Sequence, residues 1–415
     1  MLTPLPGLLP GLTELYQDLH AHPELSFAEH RTAAEIARRL TALGYEVTAG
    51  VGRTGVVGLL RNGDGPTVLL RADIDALPLA ERTGLPYASS VIATDARGQA
   101  VPVMHACGHD LHITWLIGAA TLFAAARDAW SGTLMLAFQP AEEIAAGAAA
   151  MVDDGLFDRF GRPDVALGQH VFPLPAGVVR YRPGVTMAAC DTLRVRLFGR
   201  GGHGSRPERT VDPVVLAAST VMRLQTVVSR EIAASDVAVV TVGTLHAGTK
   251  ENIIPDDAEL TVNIRTFELE VRARVLTAVD RIIRGEAAAA GAPRPPRIEK
   301  MYAFDALTND AGATVRVADA FTARFGADRV GTAPALTGSE DFGVFGSRGG
   351  FPSVFWFVGG VDPVRYEAAE RADRVNEDIA SNHSPIFAPV LETTLPTGVE
   401  TLVTAALLWL GPPSG

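Results

Sequence analysis

Apolar and polar positions along the chain change rhythm twice, and those changes divide it. Residues 12–43 read as helical, interrupted by "HPELSFAEH" (22–30), which breaks the stretch into two helices. Strands and helices then alternate. "TVLLRADID" (67–75) is a nearly continuous apolar run ending in acids. "GTLMLAFQPAEE" (132–143) likewise runs into carboxylates, and "DVALGQHV" (164–171) is a shorter strand ending at a histidine. Between them "HITWLIGAATLFAAARD" (112–128) reads as a buried helix. Continuous apolar strands separated by helices predict a doubly wound, mostly parallel sheet covered on both faces.

After about residue 186 the rhythm changes. "DTLRVRLFG" (191–199) alternates with period two, as a half-solvated strand does. "DPVVLAASTVMRLQTVVSR" (212–230) is an amphipathic helix opened by Asp212 as N-cap and Pro213 in the first turn. "DVAVVTVGTLHAG" and "DAELTVNIRTF" read as strands, a second helix covers roughly 268–291, and "PRIEKMYAF" is a final strand. The order β-α-β-β-α-β predicts a ferredoxin-like α+β domain inserted at 186–301. The first pattern then resumes with "SVFWFVGG" (353–360), a charged surface insert at 361–380 and a closing helix near 396–410. The expected chain is therefore a two-domain α/β protein. Residues 1–185 and 302–415 form the larger domain, and 186–301 the inserted one.

Composition adds limits. A chain of 415 residues suggests about two domains, and 47% apolar with 20% charged residues is the balance of a soluble protein with a large core. The net charge of −11 argues against nucleic acid and anionic lipid as partners. Two cysteines, Cys107 and Cys190, cannot make a disulfide framework. The start, "MLTPLPGLLPGL", lacks a basic segment and reads as a loop leading to a helix. No apolar run reaches the length of a membrane span. The expectation is a cytoplasmic enzyme.

In an open parallel sheet, substrates bind beyond the carboxyl ends of the strands. Metal-ligand residue types converge there. Asp73 and Asp75 end one strand, Cys107 and His109 sit in a glycine-containing loop before a helix, Glu142 and Glu143 end another strand, and His170 ends a further one. A late loop, "SNHSPIF", offers His383. A thiolate with imidazoles favours Zn²⁺ over Mg²⁺ or Ca²⁺. Cys107, His109, Glu143, His170 and His383 make five ligands, which suits two metals sharing a bridging group. Adjacent glutamates point in different directions, so one can ligate while the other serves as a base toward a water activated by the metals. His105 and His112 orient ligands or pack, His20, His22 and His30 are structural, and Cys190 is inert packing. A cysteine nucleophile with His109 as its base fails on geometry, because the two lie too close in sequence to align, which leaves that reading only with a more distant histidine as base.

The ordered set "MHACGHD", "QPAEE", a strand ending in His, "GGHGSRP", "NIIPD", "GSEDF" and "HSPIF" resembles the M20 metallopeptidase group. Within it the chain is similar to the amidohydrolase branch of aminoacylase-, hippurate hydrolase- and auxin-conjugate hydrolase-like enzymes. The resemblance spans about residues 16–405. It implies a catalytic domain, a smaller lid domain that dimerises, and a site of two divalent ions, zinc first, with Mn²⁺, Co²⁺ or Ni²⁺ as alternatives. It makes Cys107 the bridging ligand beside His109, Glu143, His170 and His383, with Glu142 as general base. Where relatives carry His-x-Asp this chain has "DID": Asp75 keeps its place behind the ligands, Asp73 replaces the histidine, and His109 fills the vacancy. His105 and Asp110 are expected behind the ligands as well. His203 would hold the oxyanion, often across a dimer interface, while Asn252 and Arg265 would bind the substrate carboxylate and Glu340 would touch the substrate side. The implied activity is hydrolysis of N-acyl amino acids or similar small amide conjugates by a homodimer or dimer of dimers. The alternatives are a dipeptidase or carboxypeptidase acting on short peptides, and a non-catalytic relative sensing metal or redox state through Cys107.

Overall fold

Alternate side chains of the strand Thr67–Asp73 leave in opposite directions. Val68, Leu70 and Ala72 enter one large apolar core, while Leu69 and Arg71 are buried on the other face. Both faces are thus covered, as the unbroken apolar run requires. This strand pairs in parallel with Gly132–Gln139 on one side and Val165–Pro175 on the other. Val165–Pro175 pairs in parallel with Ser353–Val361. These four form the middle of an eight-stranded, mostly parallel sheet. Antiparallel strands extend it: Gly55–Asn62 and then Glu46–Val51 at one edge, Val179–Tyr181 and then Val330–Thr332 at the other.

The computed structural model describes residues 1–412 and divides into two compact units. The first comprises Met1–Thr186, Thr308–Pro334 and Asp341–Gly415. Its central helix, His109–Ala125, is buried at every position from His109 to Ala120. It packs against the helices Leu5–Ala21 and Leu391–Ala406. The N-terminal helix starts at Leu5, inside the stretch expected to be a loop, and it tolerates Pro10. Pro6 occupies the first turn, where its missing N–H costs nothing. Leu5, Leu12, Leu15 and Leu19 bury one helical stripe that outweighs the interior proline. The closing helix likewise begins five residues before the expected 396 and carries Pro396 inside it. Among the described residues no helix is long and apolar enough to cross a membrane.

The second unit comprises Met187–Leu307 and Ala335–Glu340. Its four-stranded antiparallel sheet runs in the order Ala238–Ala247, Asp257–Thr266, Ala189–Phe198, Arg297–Phe304. The helices Pro213–Leu224 and Leu269–Ala289 share its core through Leu216, Leu224, Val275, Val279 and Ile283. Asp212 caps the first of these helices by accepting the Val214 N–H. The unit is longer than the 186–301 span read from the sequence. Ala335–Glu340 joins it because Met187 bridges Leu336 and the Ala188 N–H donates to Leu336 O.

One close approach in the first unit sets a sign. A methyl group on Gly398 would meet the Trp115 ring at 2.1 Å, and that ring is fully buried with its Nε1–H donated to Thr394 O. Alanine in mid-helix ordinarily gains about 1 kcal/mol over glycine, whereas forcing a rigid ring aside costs about 1–3 kcal/mol. Gly398→Ala is therefore expected to lower the melting temperature in a calorimetric scan; a raised one would contradict the packing described.

Candidate metal centre

Beyond its last ladder residue, the strand Thr67–Asp73 continues through Ile74, whose N–H donates to Gln139 O at 2.9 Å, and delivers a buried Asp75. This one residue organises three segments. Its Oδ1 accepts the Glu142 N–H at 3.1 Å. Its Oδ2 accepts the Glu143 N–H at 3.1 Å and the Ser26 hydroxyl at 2.7 Å. Its backbone carbonyl lies 2.9 Å from His109 Nδ1. A carbonyl can only accept, so Nδ1 carries a proton and Nε2 is the nitrogen that can face a cation. That Nε2 is buried without a hydrogen-bond partner.

His109 opens its helix because Gly108 turns the chain with φ 86°, and a methyl group there would meet Val171 at 2.4 Å. The turn aims Cys107 and His109 to one side. Ligand atoms of Cys107, His109 and Glu143 all lie within 4.8 Å of one another. His170 Nε2 is 3.4 Å from Cys107 Sγ, and its other nitrogen donates to Val171 O at 2.6 Å. His383 Nε2 is 3.4 Å from Glu143 Oε2, while Glu143 Oε1 is buried with no hydrogen-bond partner. The five residues expected as ligands thus form one continuous group. The late loop is tied to the cysteine loop: the His383 N–H donates to Ala106 O at 2.8 Å, and Asn382 Nδ2 to Cys107 O at 3.2 Å.

The electrostatics favour a cation. Burial opposes charge on His109, but Asp73, Asp75 and Glu143 outweigh it and raise the ring's pKa to about 10, so the surrounding acids hold a positive charge at Nε2 that a bound cation would replace. Burial, together with the neighbouring His112 and His109 rings, pushes His170 well below the ordinary imidazole range, so its Nε2 stays a lone-pair donor. A thiol, imidazole nitrogens and the Glu143 carboxylate form a donor set that fits a Zn²⁺-class ion.

Two neighbours are excluded from that set by their bonds. His112 Nδ1 donates to Asp73 Oδ1 at 2.5 Å, and its Nε2 accepts the Val171 N–H at 2.9 Å, so both nitrogens are committed. Asp73 gives its other oxygen to Arg71 at 2.8 Å. Burial raises the pKa of Asp73, yet Arg71, His109 and His112 outweigh that and hold its carboxyl well below the usual carboxylate range. Of the two residues expected behind the ligands beside Asp75, Asp110 bonds to His20 Nδ1 at 2.7 Å and to the Leu111 amide, not to a ligand. His20, read as structural, bridges from there to Glu81 at 3.0 Å. Burial opposes its charge, and Asp110 and Glu81 raise its pKa to about 10. His105 is buried with no hydrogen bond at either nitrogen, and burial lowers its pKa to about 4.

Glu142 is buried, with Oε2 at 4.0 Å from His109 Nε2. The loop carrying it is strained: Ala141 has φ 48° and Ala145 φ 56°, a left-handed conformation that costs an alanine about 1–2 kcal/mol. A methyl group on Gly147 would lie 1.5 Å from Pro140 O, so only glycine closes the loop. The sequence reading passed over Ser26 and Glu29, within the stretch taken as a helix break, and Arg71. Arg71 lies fully buried and donates to Gln139 Oε1 at 2.8 Å as well as to Asp73. A charged residue in an apolar strand was the visible signal, because burial demands partners.

The remaining candidates lie in the second unit. His203 pairs with Ile253, and the Gly204 N–H donates to Asn252 O at 2.9 Å, so His203 and Asn252 sit side by side. His203 is exposed, and its Nδ1 accepts the Ser205 N–H at 3.1 Å, which leaves Nε2–H as its donor. Arg265 is braced by Asn263 Oδ1 at 3.1 Å and Thr337 O at 2.6 Å. Glu340 is buried and ends the stretch Ala335–Glu340. Cys190 is buried and accepts Asn263 Nδ2 at 3.1 Å; neither it nor Cys107 forms a disulfide.

Known proteins resemble this chain. The chain is 37% identical over 351 residues to N-acetylcysteine deacetylase of Bacillus subtilis, covering 84% of this chain and 88% of that one. It is 41% identical over 278 residues to hippurate hydrolase of Campylobacter jejuni, covering 66% and 70%. Among solved structures it is similar to the Bacillus subtilis YXEP protein, described as a dinuclear metal binding peptidase of the M20 family. There the TM-score is 0.73 at 31% identity, over 97% of this chain and 99% of that one. The model of Peptidase family M20/M25/M40 matches residues 69–401, and the chain belongs to that family.

Proposed function

We propose that this chain is a metal-dependent amidohydrolase cleaving the amide bond of N-acyl amino acids or similar small conjugates. One observation carries the reading: Cys107, His109, Glu143, His170 and His383 gather in one group, with Glu142 buried beside them. The names of the relatives, a deacetylase of N-acetylcysteine and a hydrolase of hippurate, support the substrate class.

The five residues would hold two divalent ions, zinc first among them, which supply Lewis acidity toward a carbonyl and lower the pKa of water. Glu142 takes the proton from the attacking water and delivers it to the leaving nitrogen. Glu143, held one residue away by the same Asp75 carboxylate, has Oε1 on the side of His109 and Oε2 on the side of His383. His203 offers Nε2–H to a developing oxyanion, and Asn252 and Arg265 offer donors to the substrate carboxylate. Those three roles, and a substrate-side role for Glu340, rest on the motif resemblance. The reading includes a cytoplasmic homodimer or dimer of dimers.

A peptidase acting on short peptides is the second reading, favoured by the description of the similar YXEP structure. A panel of N-acetyl, N-benzoyl and indole-acetyl amino acids beside dipeptides, run with elemental analysis, separates the two. Turnover confined to dipeptides would reject the acyl-conjugate reading. Glu142→Gln is expected to cut turnover by at least ~10² to 10⁴-fold while metal content stays near that of the unaltered protein. Retained turnover in that variant would remove Glu142 from the mechanism. Asp75→Asn replaces an oxygen that accepts with a nitrogen that donates, facing an amide N–H. Its divalent-metal affinity, measured by chelator competition, is expected to fall roughly 10–100-fold; unaltered affinity would show that Asp75 does not organise the ligands.

A further inference from the structure

Three successive backbone amides at the catalytic turn each find a carboxylate oxygen. The Glu142 and Glu143 N–H groups go to Asp75. The third, from Ala141, goes to Glu29 Oε1 at 2.9 Å. Glu29 is fully buried, and its Oε2 accepts the Thr54 hydroxyl at 2.5 Å. It sits just ahead of the helix His30–Ala42, three residues after Ser26, whose hydroxyl holds Asp75. The segment 22–30 therefore supports both carboxylates of the cradle.

The need for such an acceptor follows from the backbone. Ala141 is left-handed, with φ 48°, so its N–H points away from the carbonyls that an ordinary turn would supply. The same residue's carbonyl already receives the Ala146 and Gly147 amides, which curl the loop back beneath it. An uncompensated buried N–H would relax this turn, and the direction of the next two side chains is set by the turn itself. Glu29 stands close to Asp75, and burial together with that like charge raises its pKa. A second buried acid beside Asp75 is an expensive choice unless its acceptor oxygens are used.

We propose that Glu29 is a positioning residue for the Glu142–Glu143 pair. Acting through the Ala141 amide and anchored by Thr54, it fixes the left-handed turn that sets Glu142 beside His109 and Glu143 between His109 and His383. This rests on the reading of Glu142 as the base. Glutamine at position 29 can still accept the Ala141 N–H and can donate to the Thr54 oxygen; alanine can do neither.

The test compares the metal-loaded variants Glu29→Ala, Glu29→Gln, Glu29→Asp and Glu142→Gln on whichever N-acyl amino acid of the panel the unaltered enzyme cleaves fastest. Glu29→Ala is expected to lower kcat on the order of 100-fold, with KM and metal content near those of the unaltered enzyme, and Glu29→Gln to restore most of the loss. Should Glu29→Ala fail to fold, Glu29→Asp, whose shorter arm cannot reach both partners, is expected to show the same kcat loss at unaltered KM. Unaltered kcat in Glu29→Ala or Glu29→Asp, a matching loss of metal, or a Glu29→Gln as impaired as Glu29→Ala would each overturn the role. An inactive Glu142→Gln beside a fully active Glu29→Ala would sink this role alone. An active Glu142→Gln would sink the reading beneath it.

Discussion

The Asp75 carboxylate is the constraint on which the site depends. A buried carboxylate must spend its oxygens on hydrogen bonds, and Asp75 spends them on two consecutive amides and a serine hydroxyl. The amides belong to residues 67 and 68 positions away, so the strand ends of Asp75 and Glu142 cannot drift apart without exposing a charge. Its backbone carbonyl meanwhile decides the tautomer of His109. One residue thus fixes which way the glutamate pair faces and which imidazole nitrogen can ligate.

Charge balance explains the rest of the surroundings. Asp73, Asp75 and Glu142 are buried, and Glu143 beside them is half-buried. Arg71 neutralises Asp73 from below, and His112, fixed by the Val171 amide, binds the other side of the same carboxylate. Two of the buried atoms without hydrogen bonds among the described residues, His109 Nε2 and Glu143 Oε1, lie in this same cluster. Negative potential and open ligand atoms therefore coincide, at the carboxyl ends of parallel strands where the sheet holds its residues rigidly.

Much of this was legible in the sequence. The runs ending in Asp75, Glu143 and His170 are too apolar for surface strands, and the observed strands Thr67–Asp73, Gly132–Gln139 and Val165–Pro175 fall where those runs lie. The switch to period two near residue 190 coincides with the strand Ala189–Phe198 of the second unit. Other features were hidden because they depend on tertiary burial. Prolines at 6 and 10 mask a helix whose leucine stripe is satisfied only by packing. Ser26 and Glu29 look like break residues until the chain carries them to Asp75 and Ala141. His112, read from the sequence as orienting a ligand or packing, owes its particular partners, Asp73 and the Val171 amide, to the tertiary fold. Leu336 pairs with Met187 across a sequence gap that no local pattern marks.

The central claim is that a single cysteine sulfur belongs to a cluster otherwise made of imidazoles and carboxylates. X-ray absorption at the metal edge of the zinc-loaded protein tests it most directly. The account predicts a sulfur neighbour at about 2.3 Å, present in the unaltered chain and lost in Cys107→Ser while nitrogen and oxygen neighbours persist. A metal shell of nitrogen and oxygen alone in the unaltered chain would contradict it.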